Sequence, residues 1–194
     1  MRRIAVLSIA SLLAFGTPAL AGWEDEISDF DRNRLNMLEE AKAKGLEEAR
    51  GSGEYAAIQS LLSLDRRDAS RSELVGNWRC RIMKLGGPFP AIVYTWFRCR
   101  VRETANGLYF EKLSGSQRSS GYLDPGNGGW VYLGTLTVND EPQKPYSGAN
   151  EGAGSPVTHT DEVAFVTKVG EGHMRMEFPF PHLESTFDVI ELSR

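Results

Sequence analysis

The chain is poor in the residues that mark many functional classes. It has two cysteines and three histidines in 194 residues, and no C-x-x-C pair, so redox and zinc-ribbon motifs find no support. His159, His173 and His182 are widely separated and show no ligand spacing. No G-x-S-x-G elbow is present: Ser116 follows Gly115 directly, and Arg118 stands where the second glycine would fall. Asp124-Pro125-Gly126-Asn127-Gly128-Gly129 resembles a calcium loop, but Gly126 and Gly128 replace the oxygen ligands at its third and fifth positions. It reads as a turn. Basic residues number 22 against 26 acidic ones, a net charge of −4, and general nucleic-acid binders need a basic surface. The 20 glycines and 9 prolines follow no G-X-Y period, and no internal repeat is found.

What is present is ordinary globular composition, 41% hydrophobic and 25% charged. The length favours one domain over two. The first 21 residues read as an export signal. Arg2 and Arg3 precede an apolar run from Ile4 to Phe15, and Ala19-Leu20-Ala21 fits a cleavage site. Those 12 residues rise only about 18 Å as a helix, short of the roughly 30 Å of a bilayer core. Cleavage after Ala21 into the periplasm is expected, with no membrane span afterwards. Charge is then unevenly spread: residues 65–118 carry +6, between flanks of −5 over 22–64 and −7 over 119–194.

Residues 22–73 carry helical signals. Ser28 and Asp31 have capping-box spacing, and Leu35, Leu38, Ala41, Gly45, Leu46 and Ala49 share one helical face. Lys42 falls inside that stripe, where its stem can pack while the ammonium reaches water. Gly51-Ser52-Gly53 stops this helix, and Tyr55, Ile58, Leu61 and Leu62 give a second. Asp65 to Glu73 reads as a polar linker. From 74 to 194 the period is two, with strands expected near 75–84, 92–104, 107–114, 119–123, 129–138, 162–169, 173–178 and 185–193. The expected class is α+β, mainly β: two N-terminal helices, then an antiparallel, barrel-like meander of about eight strands. Asn106-Gly107 suits a type I′ hairpin turn. Residues 139–161 form a long loop with little pattern.

Folding 75–84 against 92–104 about Gly86-Gly87-Pro88-Phe89-Pro90 sets Cys80 opposite Cys99. In an exported chain an even cysteine count favours a disulfide between them. The same register puts Trp78, Ile82, Phe97 and Val101 on the cysteine face. On the other face it sets Arg79 against Arg100 and Arg81 against Arg98, with Arg102 nearby. Like charges across a ladder repel and need a counter-charge. Either the acidic N-terminal segment (Glu24, Asp25, Glu26, Asp29, Asp31, Glu39, Glu40) lies over them, or the arginines form an anion site. Ser114, Gly115, Ser116 and Gln117, with Arg118, make a polar loop that is either a bend or a further anion contact. Trp78, Trp96, Trp130, Tyr94 and Tyr132 suit core packing, and a ligand-lined barrel would use them equally.

These residues resemble a family of secreted bacterial proteins, domain of unknown function 4893. The resemblance rests on Trp23 and the acidic helix, Gly76-Asn77-Trp78-Arg79-Cys80-Arg81, and Trp96-Phe97-Arg98-Cys99-Arg100. It extends through Glu111 to Arg118, Tyr132-Leu133-Gly134, Pro179-Phe180-Pro181 and Ile190-Glu191-Leu192. It implies export and brings no activity with it. More loosely, Gly76-Asn77-Trp78 at the start of a strand meander resembles the G-x-W of lipocalin- and avidin-like (calycin) barrels. That likeness implies a tryptophan closing one barrel end under a basic side chain from the last strand, for which Arg194 is the candidate.

Three functional readings follow. The first is a soluble periplasmic module binding a small ligand, without catalytic residues, metal or cofactor. The second is an interaction or inhibitor protein whose arginine face meets an acidic partner. The third is a hydrolase-type enzyme using Ser116, Arg118 and a distant acid or histidine.

Overall fold

A computed structural model describes residues 22–139, 141–149 and 160–194. The expected signal segment 1–21 and residues 150–159 of the long loop, with His159, lie outside the described residues. Eight antiparallel strands form a closed barrel in sequence order: β1 (Gly76–Leu85), β2 (Ala91–Thr104), β3 (Gly107–Lys112), β4 (Gln117–Gly126), β5 (Gly129–Val138), β6 (Asp161–Gly170), β7 (His173–Pro179) and β8 (Phe187–Ser193). β8 returns to β1, pairing Leu192 with Cys80 and Ile190 with Ile82.

Alternation decides what fills the barrel. Trp78, Cys80 and Ile82 point inward from β1, as do Cys99 and Val101 from β2 and Leu108 and Phe110 from β3. Tyr132 from β5, Met174 and Met176 from β7, and Ile190 and Leu192 from β8 complete this core. The outer face is apolar on one side, where Met83, Leu85, Phe187 and Val189 receive the helices.

The helical segment is divided more finely than its periodicity suggests, into α1 (Trp23–Glu26), α2 (Asp29–Asn36), α3 (Leu38–Ala49), α4 (Tyr55–Leu62) and α5 (Arg71–Leu74). The long helix breaks at Met37, whose ψ is 17°. The break lets α2 follow β6 and β7 while α3 follows β7, β8 and β1 around a curved wall. Leu38, Ala41, Ile58 and Leu61 pack on the barrel, and α3 comes closest at Gly45. A Cβ there would lie 2.8 Å from the Phe187 Cβ. The Lys42 stem packs as expected, and its ammonium bridges the exposed Glu39 (3.1 Å) and the barrel wall. The Nζ lies 3.0 Å from Glu177, a wholly buried carboxylate of β7 that also pairs with Arg66 (3.1 Å) and Arg175 (3.2 Å). Burying a carboxylate requires such partners.

The segment expected to be a linker closes one barrel end. Ala69 and Leu74 join the core, Trp130 and Trp78 donate to their carbonyls at 2.8 Å, and Ser70 and Glu73 form a reciprocal capping box. Its polar composition hides this role because carbonyls and two small apolar contacts suffice. The Arg194 guanidinium lies 4.1 Å from the Trp78 ring centroid and donates to the carbonyls of Glu73 and Val75.

Two turn assignments need correction. The β1–β2 register is displaced by two residues: Cys80 pairs with Phe97, Cys99 with Trp78, Arg79 with Arg98, and Arg81 with Trp96. The loop 86–90 is centred on Pro88, and β2 carries one extra residue opposite Ile82, which together account for the displacement. A shift of two preserves each residue's face, so the Cys80–Cys99 disulfide still forms, across a diagonal, with its Cα atoms 5.8 Å apart. At the β2–β3 hairpin the turn residues are Ala105 and Asn106, and only Gly107 has positive φ (125°). The type I′ turn is therefore not adopted.

Candidate functional site

The two barrel ends differ. At the end closed by α5, the strands are joined by two-residue turns at 105–106, 127–128 and 171–172. At the other end lie the loops 86–90, 113–116 and 180–186 and the connection from β5 to β6. Among the described residues the three non-glycine positions with positive φ, Asn139, Phe180 and Glu184, all fall in these open-end connections. Such conformations are held only where their surroundings impose them.

Between those loops the barrel interior opens into a cavity of about 180 Å³. Its apolar wall is made by Ile82, Phe97, Leu136, Phe178 and Ile190. Charged side chains occupy the inward positions nearest the opening: Lys84 ends the inward row of β1 and Lys112 that of β3, while Glu162 begins that of β6 and Asp188 that of β8. Ser119 of β4 donates to Glu162 at 3.3 Å, and the Tyr132 hydroxyl lies 3.5 Å from its other oxygen. Gly134 makes room for that hydroxyl, since a Cβ there would come within 2.2 Å of it.

Enclosure shapes the electrostatics. Glu162 and Asp188 line the cavity and are only partly exposed, with protein packed around most of each side chain. Burial raises the Glu162 carboxyl to about 7, against the Ser119 hydrogen bond and with help from Asp188. Burial likewise raises Asp188 to about 7, opposed by Ser185 and Lys84. Lys112 falls to about 8 through burial and the nearby charges of Arg118 and Lys84. Burial works against the Lys84 ammonium too, but its hydrogen bond to Glu184 and the charge of Asp188 carry its pKa above the ordinary value.

The residues singled out from sequence divide into two groups. Ser114, Gly115, Ser116 and Gln117 form part of the cavity rim. The Ser114 and Gln117 carbonyls hold Lys112 Nζ at 2.9 and 2.5 Å, Ser114 Oγ accepts from the Arg98 amide, and Ser116 and Gln117 line the opening. Arg118 donates to the Gly115 carbonyl at 2.5 Å and so braces this loop. Arg79, Arg81, Arg98 and Arg100 lie elsewhere, on the outer face of β1 and β2. Glu191 of β8 pairs with Arg81 at 2.5 Å, and Glu111 of β3 pairs with Arg100 at 2.8 Å and Arg102 at 3.1 Å. The counter-charges thus come from neighbouring strands, while Asp31 and Glu39 of the acidic helices pair with Arg34, Lys42 and Arg66. Arg79 and Arg98 are exposed and directly opposed. Arg79 and Arg81 both stack on Trp96, at 4.7 and 4.8 Å.

Sequence reasoning missed Lys84, Lys112, Glu162 and Asp188. A signal for them exists: each continues the inward, otherwise apolar alternation of its strand, and all four fall at the same barrel end.

Fold and cavity together define a closed eight-stranded antiparallel barrel, plugged at one end and open at the other, with a helical layer on its outside. Residues 23–192 match the family described as Domain of unknown function (DUF4893), and the chain belongs to that family. No curated protein and no solved structure matches the chain.

Proposed function

We propose that this protein is an exported, non-catalytic binding module that takes a small ligand into the open end of its barrel. The observation that carries this reading is the cavity of about 180 Å³ whose apolar wall is ringed by convergent polar and charged side chains near its opening, and an enclosed apolar wall with convergent polar groups is the usual setting of a small-molecule site. An unrelated cavity of about 150 Å³ admits benzene, so a single ring or a short chain fits the space. Export is supported by the charged start, the apolar run and Ala19-Leu20-Ala21, and mass spectrometry of periplasmic material should find Gly22 at the N-terminus. A mature species beginning at Met1 would sink that part of the proposal. For binding, the test is a methyl NMR titration of the mature chain with benzene and 1-hexanol. Saturable shifts should concentrate on Ile82, Leu136 and Ile190, and shifts confined to the outer face would overturn the reading.

A second reading is favoured by Trp96 flanked by Arg79 and Arg81, which would suit an acidic partner on the outer face. Its signature would be an affinity for acidic proteins or glycans that falls steeply with salt and is lost in Arg79→Gln.

A further inference from the structure

Hydrogen-bond donors and acceptors at the barrel mouth are unbalanced. The charged donors each have acceptors within the protein. Lys112 Nζ donates to two carbonyls and lies 4.1 Å from the Phe97 ring centroid. Lys84 Nζ donates to Glu184 at 2.6 Å and to the Gln117 side chain at 3.3 Å. Arg34, at the rim, is held by Asp31 and by the carbonyls of Phe180 and Asp161.

The acceptors are in surplus. Among the described residues Glu162 meets only Ser119 and Tyr132, at 3.3 and 3.5 Å, both long for a hydrogen bond. Asp188 Oδ1 is buried and has no hydrogen-bond partner among the described residues. Asp161 at the same rim, by contrast, accepts from the Ser147 amide and hydroxyl and from the Gly148 amide. Folded proteins seldom leave a buried carboxylate oxygen unpaired, because the desolvation of that atom is then uncompensated. Beside these two carboxyls Ile82, Phe178 and Ile190 line the same space, and Asp188 pairs with Phe178 across β7 and β8; the charge nearest Asp188 is Lys84, whose ammonium is engaged by Glu184.

Resting on the small-ligand reading of the barrel mouth, we propose that the cavity binds a small organic ammonium ion. Its charged nitrogen sits at Glu162 and Asp188, and an apolar body of about six carbons lies against Ile82, Phe178 and Ile190. An ammonium supplies three donors and one positive charge, which is what two enclosed, under-donated carboxyl groups lack. A carboxylate ligand would bring a third anion against these two acids, and a neutral alcohol would compensate no charge.

The test is calorimetric titration of the mature chain at pH 8 with n-hexylamine, 1-hexanol and hexanoate, repeated on Glu162→Gln, Asp188→Asn and the double variant. Hexylamine should bind about tenfold or more tighter than hexanol, the difference expected of a charge-assisted hydrogen bond. That preference should collapse in the double variant while hexanol binding persists, which also shows that the variant is folded. Hexanol or hexanoate binding as tightly as hexylamine overturns the ammonium inference and leaves the small-ligand reading standing. So does an amine preference that survives the double substitution. Failure of all three probes overturns both.

Discussion

Replacing Glu162 with glutamine should stabilise the protein at pH 8 and leave it nearly unchanged at pH 4.5. The folded carboxyl titrates near 7 instead of 4.5 because burial disfavours its charge. The native state therefore keeps a proton that the unfolded chain releases, and stability falls as pH rises from about 4.5 to about 7, then levels off. Moving one carboxyl over that interval corresponds to about 3 kcal/mol. Asp188 titrates across the same range, and its charge helps raise Glu162, so the two titrations overlap. The gain expected from the single substitution at pH 8 is about 1–3 kcal/mol, with a residual pH slope left by Asp188. The substituted amide would be neutral at every pH and similar in shape to the carboxyl, so the Ser119 and Tyr132 contacts have a partner throughout. Urea unfolding of both proteins at pH 4.5, 6 and 8, with the disulfide intact, reads the difference directly. A glutamine variant less stable than the parent at pH 8, or a difference that does not vary with pH, would refute the reasoning.

Three further outcomes are expected. Glu177→Gln should lower stability by about 3–5 kcal/mol, because the buried Arg175 loses its carboxylate partner and Lys42 and Arg66 keep only the exposed Glu39; a loss below about 1 kcal/mol in urea unfolding would mean that the cluster is hydrated. Gly45→Leu should detach α3 from the wall formed by Phe187 and Leu85, costing about 1–3 kcal/mol and speeding amide exchange in α3; unchanged exchange would contradict the close approach. Cys80→Ser should cost about 2–5 kcal/mol, and non-reducing peptide mapping should link Cys80 to Cys99; two alkylatable thiols in oxidised material would contradict the bridge.

The barrel was legible because alternation is a local signal. Eight runs of period two, separated by glycine, proline and asparagine, set strands within a few residues of where they lie. The disulfide survived a displaced register because a shift of two leaves Cys80 and Cys99 on the same face. The displacement itself was not legible: it arises from a loop centred on Pro88, partly offset by one extra residue in β2, and sequence alone does not reveal where a ladder skips. The role of residues 65–74 was hidden for a different reason, since carbonyls that receive Trp78 and Trp130 carry no side-chain signature. The arginine stripe drew attention because like charges cluster in sequence there, whereas Glu111 and Glu191 reach it only through strand pairing. The four charged cavity residues are scattered over four strands, and only the closed barrel shows that they share one end.

The contrast between the two ends of the barrel separates heritable variation in structure from heritable variation in specificity. Two-residue turns tolerate almost no insertion, because each added residue would unseat a strand or the tryptophan plug beneath it. Loops 113–116 and 180–186 border the opening and can change in composition with little effect on the strands that carry them. Mutation can therefore retune the rim repeatedly over an unchanged scaffold, and a designer could graft new loops there for the same reason.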